Sequence, residues 1–212
     1  PTKAFEIERI DNMNNFEKDE VEEDNRYYAR MINRDRSLTR PMLDFHNLFV
    51  KFQLITGALS QTTDTRLLDL ACGKGGDIKK WTSPKSGSVS LVVGVDIAQD
   101  NIENARDGAC TRYQETKNRV LKRNPTGSGF PEMYFLVGNS ALDLGSGVAA
   151  SSALTEESRK EYHDLYQVLW GKTSRHGLNP MYQNLLGKAS EGFDVVSVQF
   201  ALHYFFKDNL LI

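Results

Sequence analysis

Apolar, β-branched runs alternate with stretches of helical spacing along this chain. Four runs read as strands: residues 66–71, residues 90–96 (Ser90-Leu91-Val92-Val93-Gly94-Val95-Asp96), residues 133–137, and residues 193–200. The fourth run is continuously apolar around Val195-Val196, which suits a strand buried on both faces of a parallel sheet. Pro41 can open a helix at its first position. That helix is predicted from Met42 to about Leu59, with Phe45, Phe49 and Phe52 spaced as one buried stripe and Asn47 and Lys51 sharing another face. A short helix is predicted over about 76–82, a long one over about 100–122, and a third from Thr155 or Glu156 to Trp170. In the third, Tyr162, Leu165, Tyr166 and Leu169 lie at core spacing, and Thr155 can cap the first turn. Asn124 to Pro131 reads as a loop. Strands separated by helices imply right-handed βαβ units, hence an α/β, doubly wound, mostly parallel sheet with helices on both faces.

The end of the first strand carries the most chemistry. Leu67-Leu68-Asp69-Leu70-Ala71-Cys72-Gly73-Lys74-Gly75-Gly76-Asp77 passes from an apolar strand through an acid into a glycine-rich turn. Gly73 and Gly75 allow the sharp turn and a close approach of backbone to a ligand. A dinucleotide site would favour G-x-G-x-x-G, with phosphate at a helix N-terminus. Here the third glycine of that pattern is missing and Asp69 precedes the loop, where its carboxylate can accept from a ligand ammonium. S-adenosylmethionine therefore fits better than NAD. Asp96 ends the second strand, where a bidentate acceptor can hold a ribose diol. Asp69, Asp96, Asn139 and Gln199 are all predicted at carboxyl ends of strands, where α/β sheets bind ligands.

Composition narrows the rest. The chain has 212 residues, 25% of them charged and 40% hydrophobic, as in an ordinary globular domain. A net charge of −2 gives no global attraction to nucleic acid, so any such contact must be local. One local basic cluster exists, with Arg26, Arg30, Arg34, Arg36 and Arg40 beside Tyr27 and Tyr28. Residues 1–25 are acidic and read as a linker or solvated arm. The two cysteines, Cys72 and Cys110, lack metal-binding spacing, so no metal site is expected and a reducing compartment is. No run approaches the ~20 apolar residues of a membrane span. Residues 142–192 form a long, insertion-like connection. A doubly wound sheet would continue with more strands after Ile212, so the chain reads as part of a longer polypeptide whose C-terminal part is missing.

At Gln199-Phe200-Ala201-Leu202-His203-Tyr204 the chain resembles the mRNA cap (guanine-N7) methyltransferases. The resemblance covers residues 26–212 and also rests on Phe45-His46-Asn47-Leu48-Phe49-Val50-Lys51, the Asp69–Asp77 loop, Val95-Asp96-Ile97-Ala98, Arg112-Tyr113 and Phe193-Asp194. Ile32 to Pro41 and Asp100-Asn101-Ile102-Glu103-Asn104 are similar to capping enzymes of large DNA viruses, in which the methyltransferase is often one domain of a larger polypeptide.

The resemblance implies a Rossmann-like, S-adenosylmethionine-dependent class I methyltransferase fold, residues 26–212 forming its N-terminal part. It implies methyl transfer to guanine N7 of GpppRNA. By it, Lys51 and Asp69 hold the methionine moiety against Gly73 and Gly75, Asp96 the ribose, and Asn139 and Ser140 the adenine, while Gln199 and Phe200 line the pocket. Asp77 supports the loop. Lys74 and Arg112 face cap phosphates; Asn47, His203 and Tyr204 face the guanine nucleotide. Phe200, His203 and Tyr204 orient the substrate, with no residue shuttling protons. Asn139 stands where the family commonly has an acid, and Arg112-Tyr113 lie about one helical turn later than in cellular relatives. The family's C-terminal half contributes guanine-recognising residues, which leaves the activity of this stretch alone open. The implied partners are capped RNA and fused or associated triphosphatase and guanylyltransferase domains. The implied location is intracellular: nuclear in a cellular protein, cytoplasmic or virion-borne in a viral one. The alternatives are a methyltransferase for another substrate and a non-catalytic subunit of a capping complex.

Overall fold

The computed structural model describes residues 39–176 and 178–206. The acidic arm at 1–25, the cluster residues up to Arg36, and residues 207–212 lie outside the described residues.

Helix α1 (Arg40–Phe45) has Pro41 in its first turn, where the missing N–H costs nothing. It passes through a π-helical turn (His46–Val50) into α2 (Lys51–Leu59). The predicted aromatic stripe is not buried: Phe45 and Phe49 are each 57% exposed. The wider π turn resets the helix's angular register, so Phe45 and Phe49 stack on each other at 5.6 Å on the outside. Ile55, Thr56 and Leu59 form the buried face instead.

The strands are β1 (Thr65–Leu70), β2 (Val89–Asp96), β3 (Glu132–Val137) and β4 (Val195–Val198). All pair in parallel, in the order β3-β2-β1-β4. The β-branched run in β2 suits this central place: its last six residues are buried in succession, so both of its faces are covered. The fourth strand is shorter than 193–200 and is not covered on both faces. Among the described residues β4 pairs only with β1, and Val196 is 57% exposed.

Helix α3 (Ile78–Trp81) is a single turn that drives Trp81 into the core, 6.4 Å from Phe135. The long helix expected over about 100–122 is two pieces, α4 (Gln99–Glu103) and α5 (Ala109–Arg123). Asn104 breaks it: its side-chain oxygen accepts from the Arg106 and Asp107 N–H groups, an arrangement that competes with the helix. Gly108 completes the break, because a Cβ there would lie 2.6 Å from the Asn104 nitrogen. Helix α6 (Glu156–Leu169) follows the prediction, with Thr155 accepting from the Ser158 N–H at 3.1 Å. Its Tyr162, Tyr166 and Leu169 enter the core. A short α7 (Pro180–Gln183) leads toward β4. No described helix is long and apolar enough to cross a membrane.

Two glycines should respond in opposite directions to alanine. A Cβ at Gly94, on β2, would lie 2.7 Å from the Phe135 ring and 3.0 Å from the Cys72 sulfur. Gly94→Ala is expected to lower stability by about 1–3 kcal/mol through overpacking. Gly57, exposed on α2, has nothing within 4 Å of such a Cβ. Gly57→Ala is expected to stabilise by about 0.4–1 kcal/mol. Urea unfolding of both variants checks the pair of signs.

Candidate functional site

Register places the chemistry. Asp69 on β1 lies opposite Gly94 of β2 and Ser197 of β4, so it sits between two strands close to their carboxyl ends. Asp96 ends β2 opposite Val137, the last residue of β3. The chain reverses its order of strand addition between β1 and β4, and ligands of α/β sheets bind at such switch points.

Asp69 is buried, and burial pushes its carboxyl up from 3.8 to about 7. The Ser197 hydroxyl bonds the carboxyl and opposes that rise, as does the Lys51 charge, while Asp77 and Asp96 add to it. The Gln199 amide donates in turn to the Ser197 oxygen at 3.3 Å. Asp69 Oδ1 is buried and has no hydrogen-bond partner. An oxygen left that way in a native protein calls for a ligand, an ion or a water. An ammonium group fits it in charge and in donor chemistry.

Beside this acid, Lys51 at the start of α2 pairs with Asp77 Oδ2 at 2.7 Å, and Lys80 bonds the other Asp77 oxygen. Asp77 thus joins α2 to α3. Phe200 sits just past β4 with a φ of +62°, a conformation that costs a bulky residue energy and that clusters at functional sites. The His46 ring meets Phe200 edge-on at 5.5 Å, and the Lys51 ammonium lies 6.0 Å from the Phe200 ring centre. His46, with a buried, unpartnered Nδ1, and Ser197 were not singled out in the sequence. Ser197 was not legible: only the register of the β1–β4 pair sets it opposite Asp69. His46 carried no signal apart from its neighbour Asn47, which shares the π turn.

The glycine loop bends through Ala71 (φ +56°), Gly73 (+55°) and Gly75 (+64°). A Cβ at Gly75 would press to 2.8 Å from Ile78, whereas one at Gly73 would enter space open to 4 Å. Gly73 therefore leaves room for a ligand against the backbone. Asp96 differs from the bidentate ribose acceptor expected. Its Oδ1 accepts from the Ala98 N–H and the Asn101 amide, and its Oδ2 from the Gly73 N–H at 2.7 Å. A carboxylate has about four acceptor positions, so the protein fills all but one.

Lys74, expected to face cap phosphates, is paired with two acids. Its side chain is 8% exposed and its ammonium bonds Asp100 at 2.9 Å and Asp107 at 2.8 Å. Arg112 is the fourth residue of α5, with its guanidinium 3.9 Å from Asp107 and 30% of its side chain exposed. The Asn139 side-chain oxygen accepts from the Ala141 N–H, forming a turn just past β3, with Ser140 half-buried beside it. His203 and Tyr204 are adjacent exposed rings on a short 3₁₀ turn (Leu202–Phe206).

A family profile for the mRNA (guanine-N(7))-methyltransferase domain matches residues 10–144. The chain belongs to that family. Among curated relatives it is 34% identical over 111 residues to the mRNA cap guanine-N(7) methyltransferase of Candida glabrata, covering 52% of this chain and 24% of that protein. It is 28% identical over 168 residues to the protein of the same name from Caenorhabditis elegans, covering 77% of this chain and 31% of that protein. It is 24% identical over 166 residues to the probable mRNA-capping enzyme of Acanthamoeba polyphaga mimivirus, covering 77% of this chain and 11% of that protein. The chain thus spans about a third or less of the length of these relatives. The fold is the Rossmann-like parallel sheet of class I methyltransferases.

The Asp69 carboxyl gives a test in the ligand-free protein. Its folded value lies above its ordinary one, so folding takes up a proton between 3.8 and about 7, and stability falls as pH rises through that window. Asp69→Asn removes a buried charge and is expected to raise the thermal midpoint more at pH 8 than at pH 5. A lower midpoint at pH 8 would contradict this account of the site.

Proposed function

We propose that this chain is the cofactor-binding part of an enzyme that transfers a methyl group from S-adenosylmethionine to guanine N7 of GpppRNA. The observation that carries the reading is the unpartnered, buried Asp69 oxygen beside the left-handed glycine loop, in a chain of the cap methyltransferase family.

The donor set fits the cofactor. Asp69 takes the methionine ammonium, and Lys51, with two ammonium protons beyond its bond to Asp77, takes the carboxylate. Gly73 and Gly75 shape the loop the methionine runs along. The remaining acceptor position on Asp96 Oδ2 takes one ribose hydroxyl. Asn139 and Ser140 border the adenine, and Gln199 and Phe200 close the pocket from β4. When bound, the cofactor supplies a methyl already activated by its sulfonium. Guanine N7 carries a lone pair and no proton, so the protein needs no general base. Its task is alignment, which supplies as much as ~7–11 kcal/mol. Asn47, His203 and Tyr204 orient the guanine nucleotide, with Arg112 toward the cap phosphates. Fusion or association with triphosphatase and guanylyltransferase domains, and an intracellular place of action, follow from the same reading; the likeness to a viral protein named as a capping enzyme supports the fusion.

Calorimetry and methyl transfer on the full-length protein test this. S-adenosylmethionine should bind, with affinity falling as pH drops below about 7, because the ligand ammonium needs Asp69 ionised. The limiting slope is about tenfold per pH unit, one proton released per cofactor bound. Asp69→Asn should weaken binding and flatten that slope; undiminished binding in the variant would overturn the assignment. Tyr204→Ala should reduce methyl transfer far more than cofactor affinity, since misplacing the substrate by about 1 Å costs on the order of a hundredfold. His203→Gln should be milder. Loss of a limb near the histidine pKa in its pH–rate profile would show proton chemistry there instead.

A further inference from the structure

Charge is unevenly shared between the two long helices packed on β3. Helix α6 carries Glu156, Glu157, Glu161 and Asp164 against Arg159 and Lys160, whereas α5 carries Arg112, Lys117, Arg119, Lys122 and Arg123 against the single acid Glu115. Spacing sorts the α5 cations. Arg112, Thr116, Arg119 and Arg123 recur at steps of four, three and four, so they line one face. Lys122 flanks that stripe, and Arg119, Lys122 and Arg123 are exposed. Lys117 lies to another side, over the Tyr113 ring at 5.6 Å. A neighbouring face holds α5 in place through buried Ala109 and through Tyr113, which meets Phe130 and Phe135. A solvated helix commonly pairs such cations with acids a turn away. Among the described residues Arg119, Lys122 and Arg123 make no ion pair, although Glu115 stands four residues before Arg119. The helix dipole accounts for Lys122 and Arg123, which lie in the last turn. It does not account for Arg119 in the middle, and it disfavours Arg112 close to the N-terminus, where the first turn has no acid. The stripe also starts at the candidate site. A Cβ at Gly75 would lie 3.4 Å from Ala109, so the start of α5 abuts the glycine loop, and Arg112 stands about one turn further along.

We propose that the face of α5 bearing Arg112, Arg119 and Arg123, with Lys122 beside it, is a track for the RNA chain that follows the cap and holds its backbone phosphates. The proposal rests on the reading of the glycine-loop rim as the place where GpppRNA is methylated. The track begins at the residue assigned to the cap phosphates, so the next phosphates of the same strand reach Arg119 and Arg123 without leaving the helix. From Arg112 to Arg123 the rise is ~16 Å, room for about five phosphates at ~3.4 Å along a stacked strand and for fewer along an extended one. Guanidinium groups suit phosphate because their flat donor fork matches its oxygens. Phosphate contacts read no sequence, which suits a substrate defined by its cap. The overall charge of −2 gives no general attraction to a polyanion, so a local stripe has to supply it. An acidic protein would satisfy the same charges. The position of the stripe, running away from the site that takes the 5′ end of a strand, favours RNA.

Binding by the full-length protein as a function of salt tests this, with GpppG and with GpppRNAs extended by up to about ten nucleotides. In the unsubstituted protein, affinity should rise with RNA length and level off by about five nucleotides, the length of the track. Arg119→Gln, away from the last turn, should flatten the slope of log affinity against log salt by about 0.7, one phosphate contact on a single strand. Arg119→Gln/Lys122→Gln/Arg123→Gln should flatten it by about 2 and remove the gain over GpppG, while GpppG and S-adenosylhomocysteine bind as before. Arg119→Lys/Arg123→Lys keeps the charge and should keep the slope. Lys172→Gln/Arg175→Gln removes exposed cations from the connection after α6 and should leave the slope unchanged. Equal flattening by that control would show a general field in place of a track and would overturn the proposal. An unchanged slope in the triple variant would overturn it as well, and would leave the stripe to a partner other than RNA. Uncapped RNA of the same length reads the track apart from the cap: it should bind, and lose affinity in the triple variant. If the unsubstituted protein bound RNA in this way but transferred no methyl group to GpppRNA, the functional reading would fail while the track stood.

Discussion

β1 is paired in parallel on both edges, and that constraint arranges everything else. Parallel strands in register must end together, so the segments leaving β1, β2 and β4 emerge side by side at one rim of the sheet. The glycine loop, Asp96 and the Gln199-Phe200 turn become neighbours although more than a hundred residues separate the first from the last. A parallel sheet also needs a crossover after each strand, and those crossovers cover both faces of β2. Asp69 is then surrounded by strands, which explains why its carboxyl is raised to about 7 while Asp100, out on α4, is lowered.

The rim is a place where local rules are broken together. A buried carboxylate oxygen has no partner, Phe200 and Ala71 stand in left-handed conformations, and a π turn interrupts the first helix. Each of these costs stability, and fewer departures lie away from the rim, among them Asp64 at φ +54° and the buried, unpartnered Trp81 Nε1. Thr155 caps α6, valines fill β2, and Trp81 and Tyr166 fill the core.

Electrostatics divides the rim into two compartments. On the β1–β4 side, Asp77 holds Lys51 and Lys80, so cations lie close to Asp69 and its unpartnered Oδ1. On the β2 side, Asp96, Asp100 and Asp107 are each bound by donors of the protein itself. The first compartment has acceptor capacity to spare and the second is nearly saturated.

Much of this was legible in the residues alone, because it depends on local patterns. Strand runs, the glycine loop, the cap of α6 and the acids at the strand ends follow from period, conformational freedom and side-chain chemistry, and they led to the right fold; the family came from the resemblance carried by Gln199–Tyr204 and the other motifs. What was misread depended on neighbours distant in the chain. Phe45 and Phe49 have core spacing, but a π turn rotates them outward; β4 is apolar like an inner strand, but lies at an edge among the described residues. Lys74 looks like any loop lysine until the folded chain brings Asp100 and Asp107 to it, and Asp96 has an acid's full capacity until Gly73, Ala98 and Asn101 use most of it. Residue type and spacing state what a side chain is able to bond. Only the tertiary structure decides which of those bonds the protein keeps for itself, because the partners come from other strands and turns.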